Sequence, residues 1–110
     1  MMANLSYVKW IQENKITLFC DDIVSESLLK KIGAKRKFFD RKIWLINFKD
    51  ERGLADKLQQ LNENGFMFAG GSHGWNPIDI FILMREKNLV TGKVTEIVWN
   101  GNNQTLTRIL

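Results

Sequence analysis

Strand-forming segments come in pairs joined by short turns, and this pairing constrains the fold more than any other feature of the chain. Tyr7–Gln12 and Lys15–Cys20 are rich in β-branched and aromatic residues and are separated by two turn-forming residues, which predicts a hairpin. Lys93–Trp99 and Gln104–Leu110 flank a second strong turn signal, Asn100–Asn103. Parallel strands need long crossovers, so these hairpins favour a mostly antiparallel sheet.

Helical segments separate the strand pairs. Ser25–Ile32 is predicted to be a short helix, with Gly33 at the position of a left-handed cap. Asp50 is placed to cap a second helix that runs to about Glu63, and its apolar stripe recurs at i, i+4 and i+7: Leu54, Leu58 and Leu61. The interleaving predicts a single α+β domain over residues 1–110, with hairpins and two or three helices.

The segment 78–84 is ambiguous. Asn76 and Pro77 are typical of the cap and first residue of a helix, and Asp79 would lie in its first turn. The continuous apolar run Ile80–Met84 fits a buried strand equally well. Both interpretations stay open at this stage.

The main functional signal is a run of positive charge that contains aromatic residues. From Lys30 to Lys42, seven of thirteen residues are basic and one is acidic, which leaves +6, whereas the whole chain carries +4. Two strands, Lys35–Phe39 and Ile43–Phe48, are predicted around a turn in this region. Such a surface is typical of proteins that bind phosphate or another polyanion. The predicted contact residues are Lys30, Lys31, Lys35, Arg36, Lys37, Phe39, Arg41 and Lys42.

Two interpretations of this basic hairpin, residues 30–44, remain open. In one, the cations contact phosphates and Phe38 or Phe39 stacks on a base. In the other, the lysines only protect a solvated strand edge, and Phe38 and Trp44 belong to the core. Side chains alternate along a strand, so Phe38 and Phe39 cannot both face inward. Residues 1–60 hold twelve basic and eight acidic residues and residues 61–110 four of each, so we divide the domain into a basic half, 1–64, and a neutral half, 65–110.

A glycine loop, residues 70–77, is the second candidate site. It joins a flexible segment to a predicted helix start, where free amides attract anions. A small anionic ligand or nucleotide would contact Gly71, Ser72, His73, Trp75 and Asn76. The spacing matches neither the phosphate loop nor the dinucleotide fingerprint. The alternative is a surface loop in which Trp75 packs on the core.

Part of the chain, Lys15–Leu61, resembles the HARP repeat found beside annealing helicases and related small domains. The shared features are a strand at 16–18, a short helix ending at 33–34, the group Phe39–Trp44 with its Asp-Arg-Lys turn, and a helix that starts with an acid, Asp50–Leu61. The resemblance covers less than half of the chain, and the chain contains no helicase motor. It implies that the first half recognises nucleic-acid structure.

The remaining residues argue against an enzyme. His73 and Cys20 are the only candidates for a catalytic pair, and one histidine with one cysteine cannot close a zinc shell, so we expect no catalytic residue, no metal and no cofactor. The lone thiol favours a reducing cytoplasm, and we expect no signal peptide or membrane span. The expected partner is nucleic acid or, alternatively, an acidic protein surface met by a phage- or bacterium-encoded inhibitor or adaptor. A homodimer is also compatible with the sequence.

Overall fold

The computed structural model describes residues 5–99 and 105–110, and over these residues it consists of one sheet covered by helices on one face. The strands are β1 (Ser6–Gln12), β2 (Lys15–Cys20), β3 (Lys35–Arg36), β4 (Ile43–Asn47), β5 (Met67–Ala69), β6 (Thr95–Trp99) and β7 (Thr105–Ile109). The helices are α1 (Ile23–Lys31), α2 (Glu51–Glu63) and α3 (Pro77–Glu86). The turn predicted at Asn100–Asn103 lies outside the described residues.

The sheet is mixed but mostly antiparallel. Its seven described strands run in the order β3-β4-β2-β1-β5-β6-β7. β5 pairs in parallel with β1 on one side and with β6 on the other, while the remaining pairings are antiparallel. The predicted α+β class with a mostly antiparallel sheet is therefore confirmed. The Cα radius of gyration of 13.2 Å is that of one compact body, for which about 13 Å is expected at this length.

The helices define two different faces of the sheet. Buried side chains of all three helices form one cluster with strand residues such as Val8, Leu18 and Trp44, which pair in register across β1, β2 and β4. We call this side the helix face. Residues that alternate with these, such as Tyr7 and Phe19, point to the other side, which we call the open face because no described helix packs on it. The helix face holds the main core cluster, while Tyr7 and Ile43 are buried on the open face without belonging to that cluster.

The first hairpin forms where the sequence predicts it. Glu13 and Asn14 have φ values of 52° and 64°, the left-handed pair that a two-residue turn requires. The pairing of β1 with β2 is interrupted once, because Val8 faces Leu18 while Trp10 faces Thr17. Lys9 is therefore the extra residue of a β-bulge.

Two helices follow their sequence signals closely. Asp50 caps α2, and its carboxylate accepts a hydrogen bond of 2.8 Å from the Gly53 amide. The predicted leucine stripe of α2 is buried. The ambiguous segment 78–84 is helical, because Asn76 and Asp79 form a capping box at the start of α3.

The predicted strand Lys35–Phe39 is wrong at its C-terminal end. β3 spans only Lys35–Arg36, and the chain then leaves the sheet in a bend at Phe38 and Phe39. The strand alternation assumed for these two aromatic residues does not apply, and neither of them is core.

Candidate nucleic-acid interface

The end of α1 places two lysines beside the edge of the sheet. Gly33 adopts φ +90°, and the amide of Ala34 donates to the carbonyl of Leu29 at 2.8 Å, which is the bonding of a Schellman cap. The cap turns the chain directly into β3. Lys30 and Lys31, both exposed in the last turn, therefore lie one short turn from Lys35.

Main-chain hydrogen bonds order the loop between β3 and β4. The Lys37 amide donates to the Ile43 carbonyl at 2.8 Å and closes the base of the loop. At the tip, the Asp40 carboxylate accepts from the Lys42 amide at 3.1 Å. The one acidic residue of the run is therefore engaged in holding the turn. This geometry fixes where the side chains of the tip emerge.

The two phenylalanines at this tip are almost fully exposed. Phe38 is 87% and Phe39 is 91% accessible to solvent, and their rings meet edge to face with centroids 4.7 Å apart. Phe39 therefore occupies an accessible position, as expected for a contact residue. The core position considered for Phe38 is wrong. Leaving each ring in water forgoes roughly 1.5–3 kcal/mol of burial.

The cations of the hairpin divide into paired and unpaired groups. Arg36 points to the helix face, where it forms an ion pair with Glu26 and its guanidinium Cζ lies 4.8 Å from the centroid of the Trp44 ring. Lys42 forms an ion pair with Asp21, with Nζ 3.7 Å from Oδ2. The other exposed cations of the run have no ion-pair partner among the described residues, namely Lys30, Lys31, Lys35, Lys37 and Arg41.

The glycine loop is tied down at its start by close packing against β6. A Cβ atom on Gly70 would lie 2.1 Å from a Glu96 carboxylate oxygen, and one on Gly71 would lie 2.7 Å from Val98 Cγ1. Gly71 also has φ +86°. Both glycines are thus required for the chain to pass this strand, without any ligand.

Asn76 braces the other end of the same loop. Its amide oxygen accepts from the Ser72 amide at 3.2 Å, and its Nδ2 donates to the Ser72 carbonyl at 2.9 Å. The backbone amide of Asn76 donates to the Asp79 carboxylate at 3.0 Å. A carboxylate therefore already occupies the position at the helix start where an anion would bind. His73 and Trp75 remain exposed, and Trp75, at 64%, is not packed on the core.

The open face holds a cavity that the sequence did not predict. It has a volume of about 270 Å³ and is lined by Tyr7, Lys9, Trp10, Ala69, Gly70 and Ser72. Tyr7 stacks on Phe19 across the hairpin, with centroids 5.3 Å apart. The parallel pairing of β5 with β1 brings the glycine loop to this place. A lysine next to a tryptophan was visible in the sequence, but only the bulge puts both against the same cavity.

The residues considered for catalysis or metal binding are not assembled into a site. Cys20 is buried, where its Sγ donates to the Asp22 carbonyl at 3.4 Å. His73 lies in the exposed glycine loop. Over residues 5–99 and 105–110, no three of the histidine, cysteine, aspartate and glutamate side chains converge as metal ligands would.

Comparison with protein-family models, with curated proteins and with solved structures finds no match to this chain. Over the same described residues, none of the helices has the length and apolar content needed to cross a membrane.

Proposed function

We propose that this chain is a non-enzymatic module that binds nucleic acid through the basic hairpin. The observation that carries the proposal is an exposed aromatic pair, Phe38 and Phe39, on an ordered loop surrounded by cations that have no ion-pair partner in the described part of the chain. Each cation that neutralises a phosphate releases counterions and adds affinity. The resemblance of Lys15–Leu61 to the HARP repeat points the same way.

The arrangement of the charges also supports the proposal. Lys35 and Lys37 flank Arg36, which is engaged with Glu26 and Trp44 on the helix face. Lys35 is paired in register with Leu45, so it points to the open face. The charge of Lys35 is thus directed away from Glu26 in the first turn of α1, towards the open face of the sheet.

The aromatic pair suits unpaired bases better than a duplex backbone. A base has a π-face that stacks on an exposed ring, and such stacking tolerates any sequence. Bases inside a duplex are already stacked on one another and do not offer that face. The proposed ligand class is therefore nucleic acid with accessible bases, bound with little sequence preference.

A second candidate, an acidic partner protein, is favoured by the same two phenylalanines. Exposed aromatic residues within a basic rim are also the anchors of protein interfaces. In that case the chain would act as a small inhibitor or adaptor. We propose a cytoplasmic location for either function, since Cys20 would there remain a thiol.

The direct test is a pair of matched charge reversals. Lys35→Glu/Lys37→Glu alters the hairpin, whereas Lys49→Glu/Lys93→Glu makes the same change of net charge at exposed lysines outside it. We expect the first variant to lose most binding to single-stranded DNA or RNA in a low-salt titration and the second to bind nearly as the wild type. Equal losses would mean that net charge, and not the hairpin, governs binding. A wild type that binds no nucleic acid at low salt would leave the acidic-protein candidate in its place.

A further inference from the structure

We infer that the open face of the sheet contains a second contact for the same strand, in which Trp10 stacks on a base and Lys9 contacts a phosphate. This inference rests on the proposed function, since it assumes that nucleic acid binds at the basic hairpin. It adds a binding site at the centre of the sheet. The ligand class is a single strand with unpaired bases.

The register of the sheet connects the two places. Lys35 pairs with Leu45, Leu45 with Thr17, and Thr17 with Trp10. Directly paired residues lie on the same face, so this row of side chains crosses β3, β4, β2 and β1 on the open face. Neighbouring strands are about 4.8 Å apart, which puts the ends of the row at roughly 14 Å. Open sheets that bind single strands hold roughly two or three stacked bases on such a surface.

The bulge in β1 places Lys9 and Trp10 side by side at the β1 end of this row of side chains. Val8 points to the helix face, so Lys9 points to the open face, and the bulge turns Trp10, which would otherwise point to the helix face, to the same side against the same cavity. Trp10 is 38% exposed, and its Nε1 donates to the Gln12 side chain at 2.7 Å. That bond holds the indole in one orientation before any ligand arrives.

The charge of the open face fits a polyanion. Lys9, Lys15 and Lys35 are exposed there, and the described strands place no aspartate or glutamate on this face. Glu96 in β6 pairs in register with Phe68, which belongs to the helix face, and its carboxylate is bound by Arg108 at 2.6 Å. The Glu96 carboxylate lies behind Gly70, which lines the cavity, but Arg108 pairs with it, so the exposed charges that a phosphate would meet on the open face are those of the lysines.

The cavity has the dimensions and chemistry of a site for one ring and one anion. Its volume of about 270 Å³ lies just below the usual range of small-ligand sites, roughly 300–1,000 Å³. Tyr7 and Trp10 supply aromatic surface, and Lys9 and Ser72 supply donors at the rim. This combination of aromatic surface and donors suits a base with its phosphate.

The test uses tryptophan fluorescence and affinity with oligodeoxythymidylate of about 12 nucleotides, within the site sizes of single-strand binders. We expect the oligonucleotide to quench the wild type and Trp75→Phe, but to quench Trp10→Phe much less. Trp10→Leu should bind about 5- to 150-fold more weakly, the effect of one lost stack. Lys9→Gln, which does not alter the indole, should reduce the magnitude of the slope of log K against log salt by about 0.7.

Three outcomes would overturn the inference, and they separate it from the proposed function. If the hairpin reversal abolishes binding while Trp10→Leu and Lys9→Gln bind as the wild type, the hairpin is the site and the open face is not. If thymidine monophosphate alone quenches Trp10 as effectively as the oligonucleotide, the cavity is a small-ligand site and no strand crosses the sheet. If the wild type binds no oligonucleotide, both proposals fail.

Discussion

The guanidinium group of Arg36 lies over the indole ring of Trp44, with Cζ 4.8 Å from the ring centroid, while the same guanidinium is paired with Glu26. Trp44 is buried at the centre of the helix face. Arg36 therefore joins β3 to α1 and shields the edge of the core. Of the two basic residues of β3, we assign a structural role to Arg36 and a ligand-binding role to Lys35.

This assignment predicts different effects for substitutions of the neighbouring cations Arg36 and Lys37. Arg36→Ala should lower the free energy of unfolding by about 1 kcal/mol, from the lost cation–π contact and a partly exposed ion pair. Lys37→Ala should leave stability within about 0.5 kcal/mol but weaken nucleic-acid binding. Urea denaturation and a binding titration on both variants would measure the difference. The reverse pattern would mean that Arg36 is a ligand contact and Lys37 a structural residue.

The exposed aromatic pair should matter for binding and not for stability. Phe38→Ala/Phe39→Ala removes two rings that contact mainly each other and solvent, so the melting temperature should stay close to the wild type. Binding to a single strand should fall at least about fivefold, as for a lost stack. Phe68→Ala, at a fully buried position, is the control and should cost about 3–5 kcal/mol. A large loss of stability in the double variant would show that the pair is part of the core.

The leucine stripe of α2 should be essential to the core. Leu58 is fully buried between the helix and the sheet, so Leu58→Ala should destabilise the protein by about 2–5 kcal/mol. Thermal or urea denaturation measures this directly. A melting curve that barely moves would contradict the packing of α2 described above.

Substitutions at two glycines of the glycine loop test whether that loop packs against β6. Gly71 and Gly74 have φ values of +86° and +81°, but only a Cβ on Gly71 would collide with Val98. Gly74→Ala should cost about 1–2 kcal/mol from the left-handed backbone alone. Gly71→Ala should cost more, and Val98→Ala in the same chain should recover part of the excess. Equal costs at the two positions would mean that the loop does not pack against β6.

Local signals were sufficient for much of this fold. The turn at Glu13-Asn14 and the cap at Asp50 act within a few residues, so the sequence pattern predicts them directly. The capping box of Asn76 and Asp79 decided between helix and strand for the apolar run that follows. In each of these places the hydrogen-bond partner is a near neighbour in the chain.

The features that the sequence did not predict depend on distant partners. The parallel pairing of β5 with β1 joins segments that are about sixty residues apart, with Tyr7 facing Met67. The early end of β3 exposes Phe38 and Phe39, which composition alone would place in a core. The basic hairpin was recognised from its charge, but the open-face cavity needed the strand order.

Salt dependence tests the central claim, that unpaired cations of the hairpin neutralise phosphates. For a single strand, log K should fall with log salt with a slope of about −0.7 per phosphate, so five contacts give a slope of about −3.5. A variant with Lys30, Lys31, Lys35, Lys37 and Arg41 all changed to glutamine should have a slope close to zero from this site, with its fold intact by circular dichroism. A wild-type slope near zero, or an unchanged slope in the glutamine variant, would contradict the account.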